Sequence, residues 1–290
     1  MLEAPLVLKK AEAMDVFIDP MNELDITGWN LLSERQSTRS YTSPDGKWML
    51  KVLRSLDEGG LEALQKEQDI SSYVYSIGIP TPKAGGVVNV RGGGVGALYQ
   101  NIPGKKSLIR AISQDWDGRA SYIREFVELG KLIHSKVCDK GRFVPVQDRM
   151  KGKLPLATMY TDEEKVRIID FLDAIPECGN CLHGDYHPGN FIFSGNDVFA
   201  IDLGLFSYGD PIFDWANWYF MTNYYMKREE AFYLSSEKLR KCWEESFRGS
   251  GYDEEQVSIL ASFYSLNYIG IMPMAPLSLA NNKKLTSFFK

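Results

Sequence analysis

Asp185, Asn190 and Asp202 are the residues of this sequence whose types and spacing best suit chemistry. The first two stand five positions apart in "HGDYHPGN", and the third ends the next apolar run, "FAID". Phosphoryl transfer from ATP asks for one carboxylate that orients an attacking hydroxyl and accepts its proton, and for oxygen ligands that hold Mg2+ against the phosphates. These three residues supply that set. The plain alternative is that they only cap and turn the chain, because Asp, Asn and Gly are common in loops. It accounts neither for the spacing nor for a second Asp directly behind a buried strand.

Such a loop needs rigid supports. Cys181 and Leu182 before it and Phe191 to Phe193 after it read as buried strands, so the polar residues form a tight connection on apolar flanks. A kinase also needs a lysine on a strand and a helix glutamate to hold it. Lys51 interrupts the apolar strand "WMLKVL", which suits a lysine facing phosphates. On the helix that follows, at 100° per residue, Glu67 falls in the arc of Ala63, Leu64, Ile70 and Val74, whereas Glu62 falls with Gln65 and Asp69. Glu67 is therefore the expected partner of Lys51, with a solvated surface pair as the alternative.

Protein kinases space a catalytic base and a metal-binding Asn by the same five positions and place a later Asp before Gly. "HGDYHPGN", "IDLG" and "GDPIFDW" reproduce that order. On these segments the chain resembles small-molecule kinases of the aminoglycoside phosphotransferase and choline kinase type, a branch of the protein-kinase-like fold. The resemblance runs from about Ile26 to the last helices. It implies an ATP site in a cleft between two lobes, Asp185 as the base, and Asn190 and Asp202 as Mg2+ ligands, with Lys51 and Glu67 on the nucleotide. It also implies that His183 is a scaffold group, that Asp214 bonds the catalytic loop from near a helix N-terminus, and that Asp210 shapes the turn before it.

The elements agree with that order. From about Asp25 to Gln100 the chain reads as strands with one helix, "LEALQKEQDISSYVYSIG", and after Pro103 it reads mainly as helices. The expected fold is thus α+β: a two-lobed protein-kinase-like fold with a small antiparallel-sheet N-lobe over residues 1–102 and a large, mainly helical C-lobe over 103–290. "NIPGKK", Asn101 to Lys106, is the candidate hinge. Helical periodicity covers Tyr122 to Val137, Asp162 to Ala174, Ile212 to Lys227, Glu229 to Phe247 and Asp253 to Tyr268. The first 25 or so residues read as an added strand on the small lobe.

Other features set bounds. A net charge of −5 argues against a broad nucleic-acid footprint. No apolar run approaches the roughly 18 residues of a membrane span, and the start lacks a secretory pattern, so a cytoplasmic protein is expected. "CGNC", Cys178 to Cys181, has C-x-x-C spacing without a second ligand pair, which leaves ordinary buried or turn cysteines. "RGGGVG" reads as a strand-connecting turn, since no helix N-terminus or Lys follows it. The first hairpin, "LLSERQSTRSYTS", has no glycine, so Ser33, Ser37, Thr38 and backbone N–H groups would cover the phosphates.

The function expected is transfer of the γ-phosphoryl of ATP to a hydroxyl of a small molecule such as an amino alcohol or an aminoglycoside. Aromatic crowding in "DWANWYFMTNYYMKREE" reads first as the packed core of a helical lobe, with a cationic acceptor along one edge of the helix as the second reading. The alternatives are a protein kinase, which the lack of an "APE"-ended activation segment disfavours, and a nucleotide-binding module without catalysis.

Overall fold

The computed structural model describes residues 23–34, 38–54 and 58–289; Ser37 and most of the first 25 residues lie outside these. The chain divides into two compact units. The first runs through Lys105 and takes in Ser194–Gly204, and the second comprises Lys106–Phe193 and Leu205–Lys290.

In the first unit six strands form one sheet in the order β1-β5-β6-β4-β3-β2: β1 (Glu23–Leu24), β2 (Asn30–Glu34), β3 (Thr38–Thr42), β4 (Trp48–Leu53), β5 (Ala84–Val90) and β6 (Val95–Gln100). All neighbours are antiparallel except β1, which adds parallel to β5 at the sheet edge. The expected antiparallel sheet thus carries one parallel edge strand. Arg91 to Gly94 make the β5–β6 hairpin, where Gly92, Gly93 and Gly94 all take positive φ. Three left-handed residues in a row explain the glycine run as turn chemistry.

Strand alternation sorts β4. Leu50 and Val52 join Leu24, Val88, Val90 and Leu98 in the core on one face of the sheet. Met49 and Leu53 pack on the other face with Val95, Ala97, Tyr99 and Leu64 of α1 (Glu58–Ser76). Lys51 shares the second face by parity, so its side chain meets α1. Gln68 of α1, buried, clamps the sheet: its Nε2 donates to the Leu98 carbonyl at 3.1 Å and its Oε1 accepts from Gly86 N–H at 2.7 Å. That second bond falls where the β5–β6 register shifts, and it satisfies an N–H that the ladder leaves over.

The second unit is helical: α2 (Leu108–Gln114), α3 (Arg119–Ser135), α4 (Val146–Lys153), α5 (Asp162–Asp173), α6 (Ile212–Asn223), α7 (Arg228–Phe232), α8 (Ser236–Phe247), α9 (Glu254–Ser262) and α10 (Ala275–Leu285). Thr161 and Glu164 close a capping box on α5, and Ser235 and Asp253 cap α8 and α9. The Glu229 to Phe247 pattern is split at Tyr233, which takes a left-handed conformation. The Asp253 to Tyr268 pattern breaks at Phe263, after which Tyr264–Tyr268 winds as a tighter 3₁₀ turn. No helix among the described residues is long and apolar enough to cross a membrane.

The core of this unit is aromatic. Tyr186 stacks on Phe126 of α3 with centroids 4.4 Å apart and meets Trp215 of α6 edge-on at 5.6 Å; Trp215 in turn packs on Trp243 and Phe247 of α8. Gly130 makes the Tyr186 seat possible. A Cβ there would stand 2.2 Å from the Tyr186 hydroxyl oxygen, so only glycine lets α3 approach the ring.

Candidate active site

Lys51 and Glu67 are brought together in the first unit, where Lys51 Nζ lies 3.1 Å from Glu67 Oε2 and 3.3 Å from Oε1. Tyr99, on the same sheet face, donates its hydroxyl to Glu67 Oε1 at 2.9 Å. Glu67 is thus held from two sides, which fixes where the ammonium points. Burial pushes the Tyr99 hydroxyl up, and the charges of Glu67 and, more weakly, Asp202 add to it. Tyr99 therefore stays a donor at any working pH.

Asp202 belongs to this unit too. The strand Asp197–Ala200 is tied to it by Ala200 N–H, which donates to the Pro80 carbonyl at 2.8 Å. Two residues on, Asp202 takes φ +58. Among the described residues only Asp202 and Tyr233 do so without being glycine. Left-handed backbone at a non-glycine residue is uncommon, tolerated best by Asp and Asn, and concentrated at functional sites.

In the second unit the turn His183 to Asn190 connects the strand Cys181–Leu182 to the strand Phe191–Ser194, whose Phe193 and Ile192 pair with Lys106 and Ser107. Gly184 takes φ +80, and a Cβ on it would sit 2.0 Å from the Leu205 carbonyl oxygen. Both facts demand glycine before the Asp. Asp185 is half-buried, its side chain 23% exposed. Asn190 turns its Nδ2 onto the Asp185 carbonyl at 3.0 Å and onto Oδ2 at 2.9 Å. The five-residue spacing is thereby closed into a ring by the two side chains themselves. Gly189 N–H donates to His187 Nδ1 at 3.1 Å, which places the ring's proton on Nε2, 3.8 Å from Asp185 Oδ1. Burial pushes the Asp185 carboxyl up, but His187 and the Tyr268 hydroxyl outweigh it and hold the group below the usual carboxylate range. Asp185 is ionised at neutral pH and available as a base.

Asp214, on the first turn of α6 and fully buried, fixes the turn from below. Its Oδ2 accepts from His183 N–H at 2.9 Å and from His134 Nε2 at 2.8 Å, and its Oδ1 accepts from Gly184 N–H at 2.9 Å. Asp210 Oδ1 accepts from Ile212 N–H at 2.9 Å and from the Tyr252 hydroxyl at 2.8 Å, a turn-forming arrangement.

A model of the phosphotransferase enzyme family matches residues 30–238. The chain belongs to that family. Solved structures agree on the fold. An aminoglycoside phosphotransferase from Streptomyces rimosus is 17% identical, with 95% of this chain and 97% of that chain covered and a TM-score of 0.53. A choline/ethanolamine kinase family protein from Mesorhizobium loti is 15% identical over 98% and 90%, with the same score. A thermostable mutant of an aminoglycoside phosphotransferase, solved as a ternary complex with ADP and hygromycin B, is 14% identical over 89% and 93%, again at 0.53. No curated protein matches the sequence.

In this phosphotransferase two residues that sequence reasoning missed hold the turn from the C-terminal side. Tyr268 donates its hydroxyl to Asp185 Oδ1 at 2.6 Å and accepts from Asn217 Nδ2 at 2.6 Å; Tyr264 donates to the Gly184 carbonyl at 3.1 Å. The signal was present in "FYSLNYIG", where two rings with polar tips recur four apart in an apolar run. Tyr268→Phe is expected to lower kcat several-fold with little change in nucleotide affinity. It should also move the acidic limb of the kcat profile upward, since one of the groups that depress Asp185 is gone. A profile that coincides with wild type would show that this hydroxyl has no part in holding Asp185.

The remaining expectations are placed as follows. Ser33 lies exposed on β2 opposite Ser40, and Thr38 opens β3. Cys178 Sγ lies 3.7 Å from Asp210 Oδ2, while Cys181 is buried in its strand with a thiol pushed up by its hydrogen bond with Cys138 and by burial. All four cysteines are free thiols. Of the rings expected to meet a cation, Trp215, Trp218 and Phe220 are closed into the core, with Trp218 Nε1 donating to Ser246 Oγ at 3.1 Å. Tyr224 and Tyr225 are half-exposed.

Proposed function

We propose that the protein is a kinase that moves the γ-phosphoryl group of ATP to a hydroxyl of a small molecule. The observation that carries this reading is the state of Asp185: a half-buried carboxylate, held ionised, with both oxygens oriented by neighbours and tied to Asn190. In the reaction the acceptor oxygen attacks the γ-phosphorus, the bond to the ADP oxygen breaks, and the hydroxyl proton passes to Asp185. Lys51, aimed by Glu67, neutralises phosphate oxygens. Solved relatives in complex with ADP, among them the S. rimosus enzyme with ADP and streptomycin, support nucleotide use here.

The residues present fit Mg2+. Asn190 spends its Nδ2 on Asp185, which leaves its Oδ1 as a hard oxygen donor, and Asp202 offers a carboxylate. Among the described residues no group of three His, Cys, Asp or Glu side chains forms a metal cage. Mg2+ typically takes only one or two protein oxygens and fills its shell with phosphate and water. When bound it would neutralise phosphate charge during transfer.

The acceptor in this reading is a small molecule, a reading supported by solved relatives in complex with ADP and hygromycin B or with ADP and streptomycin. A cationic acceptor would keep the half-exposed Tyr224 and Tyr225 as its aromatic support, since Trp215, Trp218 and Phe220 are enclosed. The test is consumption of ATP against a panel of amino alcohols, sugars, aminoglycosides and nucleosides, with added proteins as a control for a protein kinase. Asp202→Ala should abolish Mg2+-dependent nucleotide binding, seen by calorimetry with and without the metal. Unchanged affinity in that variant would remove Asp202 from the metal set.

A further inference from the structure

The second unit contains an open, largely apolar cavity, and one of its walls is Tyr268, the residue whose hydroxyl donates to Asp185. Its other rings are Phe220 and Tyr225, and three thioethers, Met226, Met272 and Met274, complete much of the surface. No Asp or Glu lines it, and its one charged lining residue, Lys227, is a cation. Methionines are adaptable, polarisable and well suited to aromatic and alkyl surfaces.

The geometry points to an acceptor with an apolar body: an alkyl or aromatic alcohol whose hydroxyl reaches Asp185 while the body lies against Tyr225, Tyr268 and the methionines. The inference rests on the kinase reading of Asp185 and adds the acceptor class. The lining itself offers no carboxylate, and Glu230 beside it is already paired with Lys227 at 3.8 Å, so several ammonium groups laid along this apolar wall would be poorly matched. A single ammonium can sit on a ring face. An alcohol with an apolar body is therefore favoured here over a polycation of the aminoglycoside type.

The experiment measures rates with ATP over primary alcohols from butan-1-ol to octan-1-ol, 2-phenylethanol, streptomycin and hygromycin B. Binding of the same compounds to the protein is followed separately by calorimetry. Both kcat/KM and affinity should rise about fourfold per added methylene, the factor equivalent to about 0.8 kcal/mol of transfer free energy. Met226→Gln, Met272→Gln and Met274→Gln combined should raise KM for octan-1-ol and 2-phenylethanol at least tenfold. Met226 and Met274 are exposed, so the combined variant is expected to keep its thermal midpoint. A flat response along the alcohol series, or streptomycin or hygromycin B above every alcohol, overturns the assignment. Graded binding without transfer to any compound upholds the cavity's preference and refutes the kinase reading; transfer to polar acceptors without graded binding does the reverse.

Discussion

Asp185→Ala is expected to lower phosphoryl transfer by about 10²–10⁴-fold, the span that one positioned general base contributes, and to leave nucleotide affinity within a few-fold. The asymmetry follows from its place: Asp185 is tied to Asn190, Tyr268 and His187, and in the proposed reaction it faces the acceptor hydroxyl. Asp185→Asn is the sharper variant. It keeps an oxygen for the Tyr268 hydroxyl but has no basic oxygen to take a proton, so it should be as inactive as the alanine variant and fold better. ADP release with a true acceptor and calorimetric titration of nucleotide measure the two effects. Near-normal turnover in Asp185→Asn would end the assignment of the base.

Asp214→Ala is expected to show the largest loss of stability. The carboxylate is fully buried and accepts three hydrogen bonds, two of them from the backbone immediately before Asp185. Removing it leaves two buried N–H groups and the His134 ring without an acceptor, at about 1–3 kcal/mol for each orphaned group. A loss of about 3–5 kcal/mol, typical of breaking one side of a buried charged pair, lowers the thermal midpoint by about 10 °C in a domain of this size. In protein that remains folded, kcat should fall more than the nucleotide affinity, because it is the turn that loosens. Thermal unfolding and a kcat-against-KM comparison check both. A variant with an unchanged midpoint would mean that water replaces the carboxylate, and Asp214 would no longer count as the anchor of the turn.

The comparison of sequence with structure is instructive at particular residues. The family was legible because phosphoryl transfer constrains residue type and spacing within a few positions: Asp185 to Asn190 closes through one amide, and Asp202 follows two short strands later. Lys51 and Glu67 were legible for a periodic reason. Parity along β4 and the helical arc of α1 each put the side chain on the shared face, so two local rules specified one ion pair. The wide aromatic segment left core packing and an acceptor wall both open, since composition cannot tell a ring that faces solvent from one enclosed by another helix. Trp215 and Trp218 look alike in sequence to Tyr225, but only packing against α8 separates them.

By itself, the sequence determined the family, the order of strands and helices, and the local polar turn with the lysine–glutamate pair, because each depends on neighbours within one or two turns of chain. Tertiary structure alone decided what holds the turn. Tyr264 and Tyr268 reach Gly184 and Asp185 across about 80 residues of sequence, and they do so because the helical pattern gives way to a 3₁₀ turn at Phe263, a change that hydrophobic periodicity does not register. For Asp214 the family resemblance already implies a bond to the loop, and packing adds His134 of α3 to the adjacent His183 and Gly184 donors. A buried carboxylate is stable only where those donors converge, and convergence belongs to the packed chain.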